Sequence, residues 1–160
     1  MTVKVGDKVP EGTLMEMTDS GQAPVTTANL FGGKRVALFS VPGAFTPTCS
    51  NQHLPGFVAN AAAIKAKGID TIACIAVNDA FVMGAWGRAQ NVGDSVRMLA
   101  DGNATWTQAL GLELDATGFG MGVRGKRFSV IVDDGTVTNI NVDESGGLDV
   151  SSAETLLAQA

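Results

Sequence analysis

The chain has 160 residues, 45% of them apolar and 17% charged, and carries a net charge of −5. That length fits one well-packed domain, residues 1–160, and is short for two. The acidic balance and Lys and Arg residues scattered apart from the cluster Arg124, Lys126 and Arg127 speak against nucleic acid or an anionic membrane as partner, and no apolar run approaches the roughly 20 residues that span a bilayer.

The opening stretch Met1–Gly6 (MTVKVG) is short and polar, unlike a secretory leader. Residues up to 34 read as short extended pieces punctuated by Pro10, Gly12, Gly21, Pro24 and Gly32-Gly33. Arg35–Val41 (RVALFSV) is a continuous apolar run of buried-strand length, broken by Pro42-Gly43. A helix is predicted from Pro47 to about Lys67. Proline suits a first helical position, Phe57, Ala61 and Ile64 fall at helical spacing, and Gly68 fits a left-handed cap. Pro55 lies inside this helix and is expected to kink it.

Asp70–Val77 is a second buried strand, after which Asn78 or Asp79 can cap a helix reaching about Gln90. Val96–Ala100 reads as a strand and Thr105–Leu110 as a short helix. Phe128–Val132 and Thr136–Val142 flank Asp134-Gly135, a two-residue hairpin signal. Ser151 with Glu154 forms a capping box for a last helix over Ser152–Gln159. A right-handed βαβ crossover followed by an antiparallel hairpin and a helix predicts a thioredoxin-like α/β fold, a central mixed sheet flanked by helices, with an N-terminal extension.

Two cysteines, Cys49 and Cys74, cannot build a disulfide framework. They indicate a reducing compartment, and the cytoplasm is the expected one. One histidine, His53, with two cysteines argues against structural zinc. Chemistry concentrates in Pro42-Gly43-Ala44-Phe45-Thr46-Pro47-Thr48-Cys49, which leaves the C-terminal end of a central strand and enters a helix, the edge where sites form in open α/β sheets. Cys49 falls in the first helical turn, where free N–H groups and the helix dipole favour a reactive thiolate. A free cysteine is more often an inert core residue, but this context favours reactivity. Thr46 stands where a C-x-x-C motif would place its first cysteine, which excludes dithiol exchange through such a pair and leaves a hydroxyl beside a thiol. That hydroxyl can bond the sulfur or a bound oxidant, or serve as a plain N-cap.

The pattern P-x-x-x-T-x-x-C resembles the peroxiredoxin active-site motif. The run VPGAFTPTCSNQHLPGF (Val41–Phe57), Val77–Phe81, Trp86-Gly87-Arg88 and Lys126-Arg127-Phe128-Ser129 are similar to the type-5 (type-II) subgroup over nearly the whole chain. The resemblance implies a peroxidase whose peroxidatic residue is Cys49. Thr46 would orient the peroxide, Pro42 shield the pocket, and Arg127 hold the thiolate and the charge that develops as the O–O bond breaks. Arg124 competes with Arg127, and the K-R-F-S match favours the latter. Arg127, Thr46 and the Cys49 backbone N–H are expected to act as fixed donors. The product is a Cys49 sulfenic acid, and no metal, flavin or haem is called for.

Many type-5 relatives carry a resolving cysteine near the C-terminus, where this chain has Val150. Cys74, mid-strand, reads as a core residue, although some relatives have a cysteine at that place. A one-cysteine cycle is expected, with glutathione and glutaredoxin or else thioredoxin as reductant. The resemblance also suggests a homodimer, with Phe45, Phe81 and Trp86 as pocket or dimer-contact residues; plain core packing is the alternative. His53, four residues after Cys49, shares its helical face and reads as a structural hydrogen-bonding residue. A Cys–His acyl hydrolase would use it as a base, and a non-enzymatic thiol sensor is the other rival.

Overall fold

The computed structural model describes residues 2–144 and 147–160; Met1, which begins the stretch read for a leader, lies outside them. Its centre is a mixed seven-stranded sheet in the order β2-β1-β5-β4-β3-β8-β9. The two apolar runs of the sequence are its middle strands, β3 (Arg35–Ser40) and β4 (Thr71–Ala76), paired in parallel with Phe39 opposite Cys74. Being covered on both faces, they read as unbroken hydrophobic runs. β8 (Arg127–Asp133) lies antiparallel on the other side of β3, and β9 (Thr136–Asp143) forms the edge beyond it. The predicted β8–β9 turn is present, with Asp134 and Gly135 both at positive φ (47° and 82°), the two-residue geometry that Asp-Gly favours. This is the thioredoxin-like α/β arrangement expected from the element order.

Strand alternation divides the interior into two cores. Ala37 and Phe39 of β3, Ile72 and Cys74 of β4, and Ile131 of β8 face one side, with Cys49 and with Leu54, Phe57, Ala61 and Ile64 of helix α2 (Leu54–Ala66). Val36 and Leu38, Ala73 and Ile75, and Phe128, Val130 and Val132 face the other. Parity therefore puts Arg127 on the Ile131 side, facing the helix that carries the cysteine.

The remaining elements extend this frame. The N-terminal region holds an antiparallel hairpin, β1 (Thr13–Thr18) with β2 (Gly21–Thr26), and a short helix α1 (Thr27–Phe31). β5 (Arg97–Ala100) joins β1 to β4, so these additions extend the central sheet itself. Helix α3 (Ala80–Ala89) is capped by Asp79, whose Oδ1 accepts the Val82 N–H at 2.8 Å. Helix α4 spans Thr105–Ala109, and a small hairpin pairs β6 (Glu113–Asp115) with β7 (Val123–Gly125).

The kink expected at Pro55 takes another form. Residues Cys49–His53 make a π turn, closed by the Leu54 N–H bonding to the Cys49 carbonyl, and α2 resumes with Pro55 at its start. Proline has no N–H to give to the preceding turn, and the widened turn places that missing donor at a boundary. Such turns recur at functional sites. The last helix, α5 (Ala153–Gln159), is capped by Ser152, which accepts from the Thr155 N–H at 3.2 Å. Ser151 is not the cap, because Asp143 takes its hydroxyl proton at 2.6 Å.

Candidate active site

The site is built where the β3 end, the π turn and the start of β8 converge. The Pro42–Thr46 turn is held in a tight conformation: Phe45 has φ 63°, unusual for an aromatic residue. A β-carbon on Gly43 would lie 3.1 Å from Thr46 Cγ2, 3.2 Å from Arg124 Nη1 and 3.3 Å from Met121 Cε, so a larger residue here would press on all three side chains. The Asn78 side chain, a candidate cap in the sequence, instead accepts the Ala44 N–H at 2.9 Å and ties the turn to the end of β4.

Cys49 is fully buried. Arg127 Nη2 donates to its Sγ at 3.2 Å. Arg127 is itself only 3% exposed, and a buried guanidinium needs partners to offset its lost hydration. Nη1 donates to His53 Nδ1 at 2.9 Å. Because arginine can only donate, Nδ1 must be the accepting nitrogen, and Nε2 then carries the proton and donates to the Ser151 carbonyl at 2.9 Å. His53 is thus neutral and committed on both sides. Its free lone pair faces Arg127 rather than Cys49, which removes the base a Cys–His hydrolase requires.

Thr46 differs from the donor expected of it. Its Oγ1 donates to the Gly43 carbonyl at 2.7 Å, so it neither caps the helix nor gives its proton to the sulfur. With that proton committed, the hydroxyl oxygen retains acceptor capacity. Arg124 is placed elsewhere from Arg127: Nε donates to the Met121 carbonyl at 2.9 Å and Nη1 lies 3.5 Å from the Pro42 carbonyl. It buttresses the turn and does not contact the sulfur. Trp86 is core, fully buried, with its indole N–H on Ser50 Oγ at 3.0 Å. Phe45 and Phe81 are 56% and 60% exposed.

Cys74 faces the same core from β4. Burial pushes its thiol well above the usual range, and the neighbouring Cys49 pushes it further against the opposing influence of Arg127. A thiol held in its protonated form is a poor nucleophile. His53 is shifted the other way: burial first, then the Arg127 charge, bring it down to about 4, with the Ser151 carbonyl and Asp143 opposing. Asp143 resists burial through hydrogen bonds from the Ser151 hydroxyl and the Val150, Asp149 and Ser151 N–H groups, which hold its carboxyl below the ordinary range.

The His53 shift has a consequence for acid stability. The unfolded imidazole takes up a proton near pH 6.5 and the folded one only near 4, so the unfolded state binds more protons between these values and stability falls as pH falls through that window. At about 1.36 kcal/mol per unit, the loss is about 3 kcal/mol by pH ~4. Urea unfolding from pH 7 to 4 is expected to show this slope in the wild type and to lose that share of it in His53→Asn. Parallel slopes in the two proteins would contradict the assignment.

The comparisons with known proteins bear on the chemistry. The Redoxin family model matches residues 4–157. Peroxiredoxin-2E-2, chloroplastic, of Oryza sativa subsp. japonica is 48% identical over 161 residues, covering 98% of this chain and 72% of the relative. The chain belongs to the peroxiredoxin family. Peroxiredoxin-2E, chloroplastic, of Arabidopsis thaliana is 48% identical over 98% of this chain and 68% of its own length. The solved structure of reduced Prx3 from Vibrio vulnificus in complex with hydrogen peroxide superposes with a TM-score of 0.95 at 51% identity, over 99% of both chains. As a peroxiredoxin, the protein is a thiol peroxidase. One expectation is overturned. The cytoplasmic placement rested on a count of two cysteines, yet peroxiredoxins 48% identical to this one are chloroplastic. Unpaired cysteines report a reducing surrounding and do not distinguish one such compartment from another.

Proposed function

We propose that this peroxiredoxin works as a type-5 (type-II) enzyme in a one-cysteine cycle, with Cys49 as the peroxidatic residue and hydrogen peroxide or a small organic hydroperoxide as substrate. The contact that carries the reading is Arg127 Nη2 on Cys49 Sγ at 3.2 Å, with both residues buried beside the T-x-x-C turn. A guanidinium fixed beside the sulfur is placed to stabilise negative charge there during the reaction. The thiolate attacks the distal peroxide oxygen in line with the O–O bond. The S–O bond forms as the O–O bond breaks, hydroxide or alkoxide leaves and takes up a proton, and Cys49 is left as a sulfenic acid. Arg127 lies beside the atoms where negative charge moves, and it need not reorganise to stabilise that charge.

Thr46 enters as an acceptor. With its proton on Gly43, its oxygen can receive the peroxide O–H and turn the distal oxygen toward the sulfur. Pro42, whose ring offers no donor, covers the pocket and keeps water from competing. The full burial of Cys49 favours small substrates over bulky ones. An external thiol then condenses with the sulfenic acid, releasing water, and a second thiol frees Cys49 from the mixed disulfide. Support for the one-cysteine cycle comes from Val150 at the place of a resolving cysteine and from the buried, protonated state of Cys74. Glutathione with glutaredoxin is the first-choice reductant and thioredoxin the second. Homodimer formation through the surface bearing exposed Phe45 and Phe81 belongs to the same reading.

The test is peroxide turnover with glutathione and glutaredoxin set against turnover with thioredoxin, followed by intact mass of the oxidised protein. A single glutathione adduct on Cys49 is expected in the first case. An intramolecular Cys49–Cys74 disulfide in place of the adduct would overturn the one-cysteine cycle while leaving the peroxidase intact.

A further inference from the structure

The reaction as described makes no use of His53, the single histidine of the chain, although it is fully buried in the site. Its surroundings fix it from every side. Phe39 and Phe57 flank the ring, with centroids 4.9 Å and 5.6 Å away. Its Nε2–H is spent on the Ser151 carbonyl. Ser151 is in turn immobilised: its N–H and hydroxyl both donate to Asp143 Oδ2, at 3.1 Å and 2.6 Å, and the N–H groups of Asp149 and Val150 donate to the same carboxylate. An imidazole so held presents one lone pair in one direction, and that lone pair receives Arg127 Nη1. A guanidinium is a rigid planar fork of donors. Holding one of its terminal nitrogens therefore constrains where the other points, and the other points at Cys49 Sγ.

We propose that His53 is a positioning residue for the peroxidase reaction: its Nδ1 lone pair anchors Arg127 Nη1 so that Nη2 is aimed at the Cys49 sulfur, with the ring's own orientation set by the Ser151 carbonyl. This rests on the Cys49–Arg127 reading above. It makes the 147–151 segment, which lies far from the cysteine in sequence, part of the support for the arginine. Among the described residues, the charged groups that act on the ring are Arg127 from β8 and Asp143 from β9, with Cys49 on the same turn and bonded to the same arginine.

Two substitutions separate the functions of the two ring nitrogens. In His53→Asn the amide oxygen stands near the position of Nδ1 and retains an acceptor for Arg127. In His53→Gln the amide nitrogen reaches toward the position of Nε2 and retains the donor for Ser151. The rate of Cys49 oxidation by hydrogen peroxide is expected to fall about tenfold or more in His53→Gln and to stay within about threefold of wild type in His53→Asn. Equal rates in the two variants, at any level, overturn the positioning role, since loss of ring packing is common to both. Wild type that fails to oxidise Cys49 at all would instead sink the underlying reading of the site. A second measurement needs no substitution: the two-bond 1H–15N spectrum of the lone histidine in the wild-type protein reports its tautomer. Neutral imidazole protonated at Nε2 is expected, and a proton on Nδ1 overturns the proposal even where the glutamine variant does not fold.

Discussion

Cys49→Ser is expected to end peroxide consumption, while Cys74→Ser keeps most of it. The asymmetry follows from where each sulfur sits. Cys49 receives a guanidinium N–H at 3.2 Å, at the turn that leaves β3. Serine there would present a hydroxyl, which stays protonated at neutral pH beside any arginine and is no nucleophile toward an O–O bond. Cys74 lies mid-strand on β4, fully buried, its thiol pushed up by burial and by Cys49. Its replacement changes packing more than chemistry: serine loses a weak S–H donor and gains a buried hydroxyl that needs a partner, at a cost of about 1–3 kcal/mol in stability. Peroxide consumption per folded protein, corrected by circular dichroism, is the relevant measure. Equal loss in both variants would mean that the two thiols act together.

Arg127 carries the second large effect. Replacing it with glutamine is expected to slow Cys49 oxidation about 10²–10³-fold, the range seen when one preorganised donor to developing charge is removed. Arg127→Lys should recover only part of this. An ammonium brings a charge and three donors, but on a flexible stem it lacks the planar fork that sets the bonds to His53 Nδ1 and Cys49 Sγ in fixed directions. Arg124→Gln supplies the contrast. That side chain bonds the Met121 and Pro42 carbonyls, so its loss should loosen the turn and cost far less in rate. Stopped-flow rates of oxidation for the three variants decide the matter, and an Arg124 variant slower than Arg127→Gln would reverse the assignment of the two arginines.

How much of this could be read in the sequence depends on the range of the interactions. Strands β3 and β4, the helical start at Pro47 just ahead of the π turn, the Gly68 cap with φ +91° and the Asp-Gly hairpin are local signals and appear where expected. The β1–β2 hairpin was obscured by composition: Leu14–Met17 are ordinary helix formers, and Pro24 lies in β2, tolerated because that strand is at the sheet edge. Strands β6 and β7 have three residues each, too few to set up a period. In the site, the Lys126–Ser129 match is what favours Arg127 over Arg124 in the sequence, and alternation along β8 places Arg127 on the Ile131 side of the sheet.

The rest was hidden by sequence distance. His53 and Ser151 are 98 positions apart, and nothing local in either marks the other. Two adjacent serines can each look like a cap, and only Asp143, reaching across from β9, removes Ser151 from that role. Thr46 was recognised by spacing, but the direction of its hydroxyl depends on where the turn places the Gly43 carbonyl, a three-dimensional fact.

The measurement closest to the central claim treats reduced protein with one equivalent of hydrogen peroxide in the presence of dimedone and maps the adduct by peptide mass. A sulfenic acid trapped on Cys49, with Cys74 unmodified, is the predicted result. Trapping on Cys74, or none on either sulfur while peroxide disappears, would contradict the account.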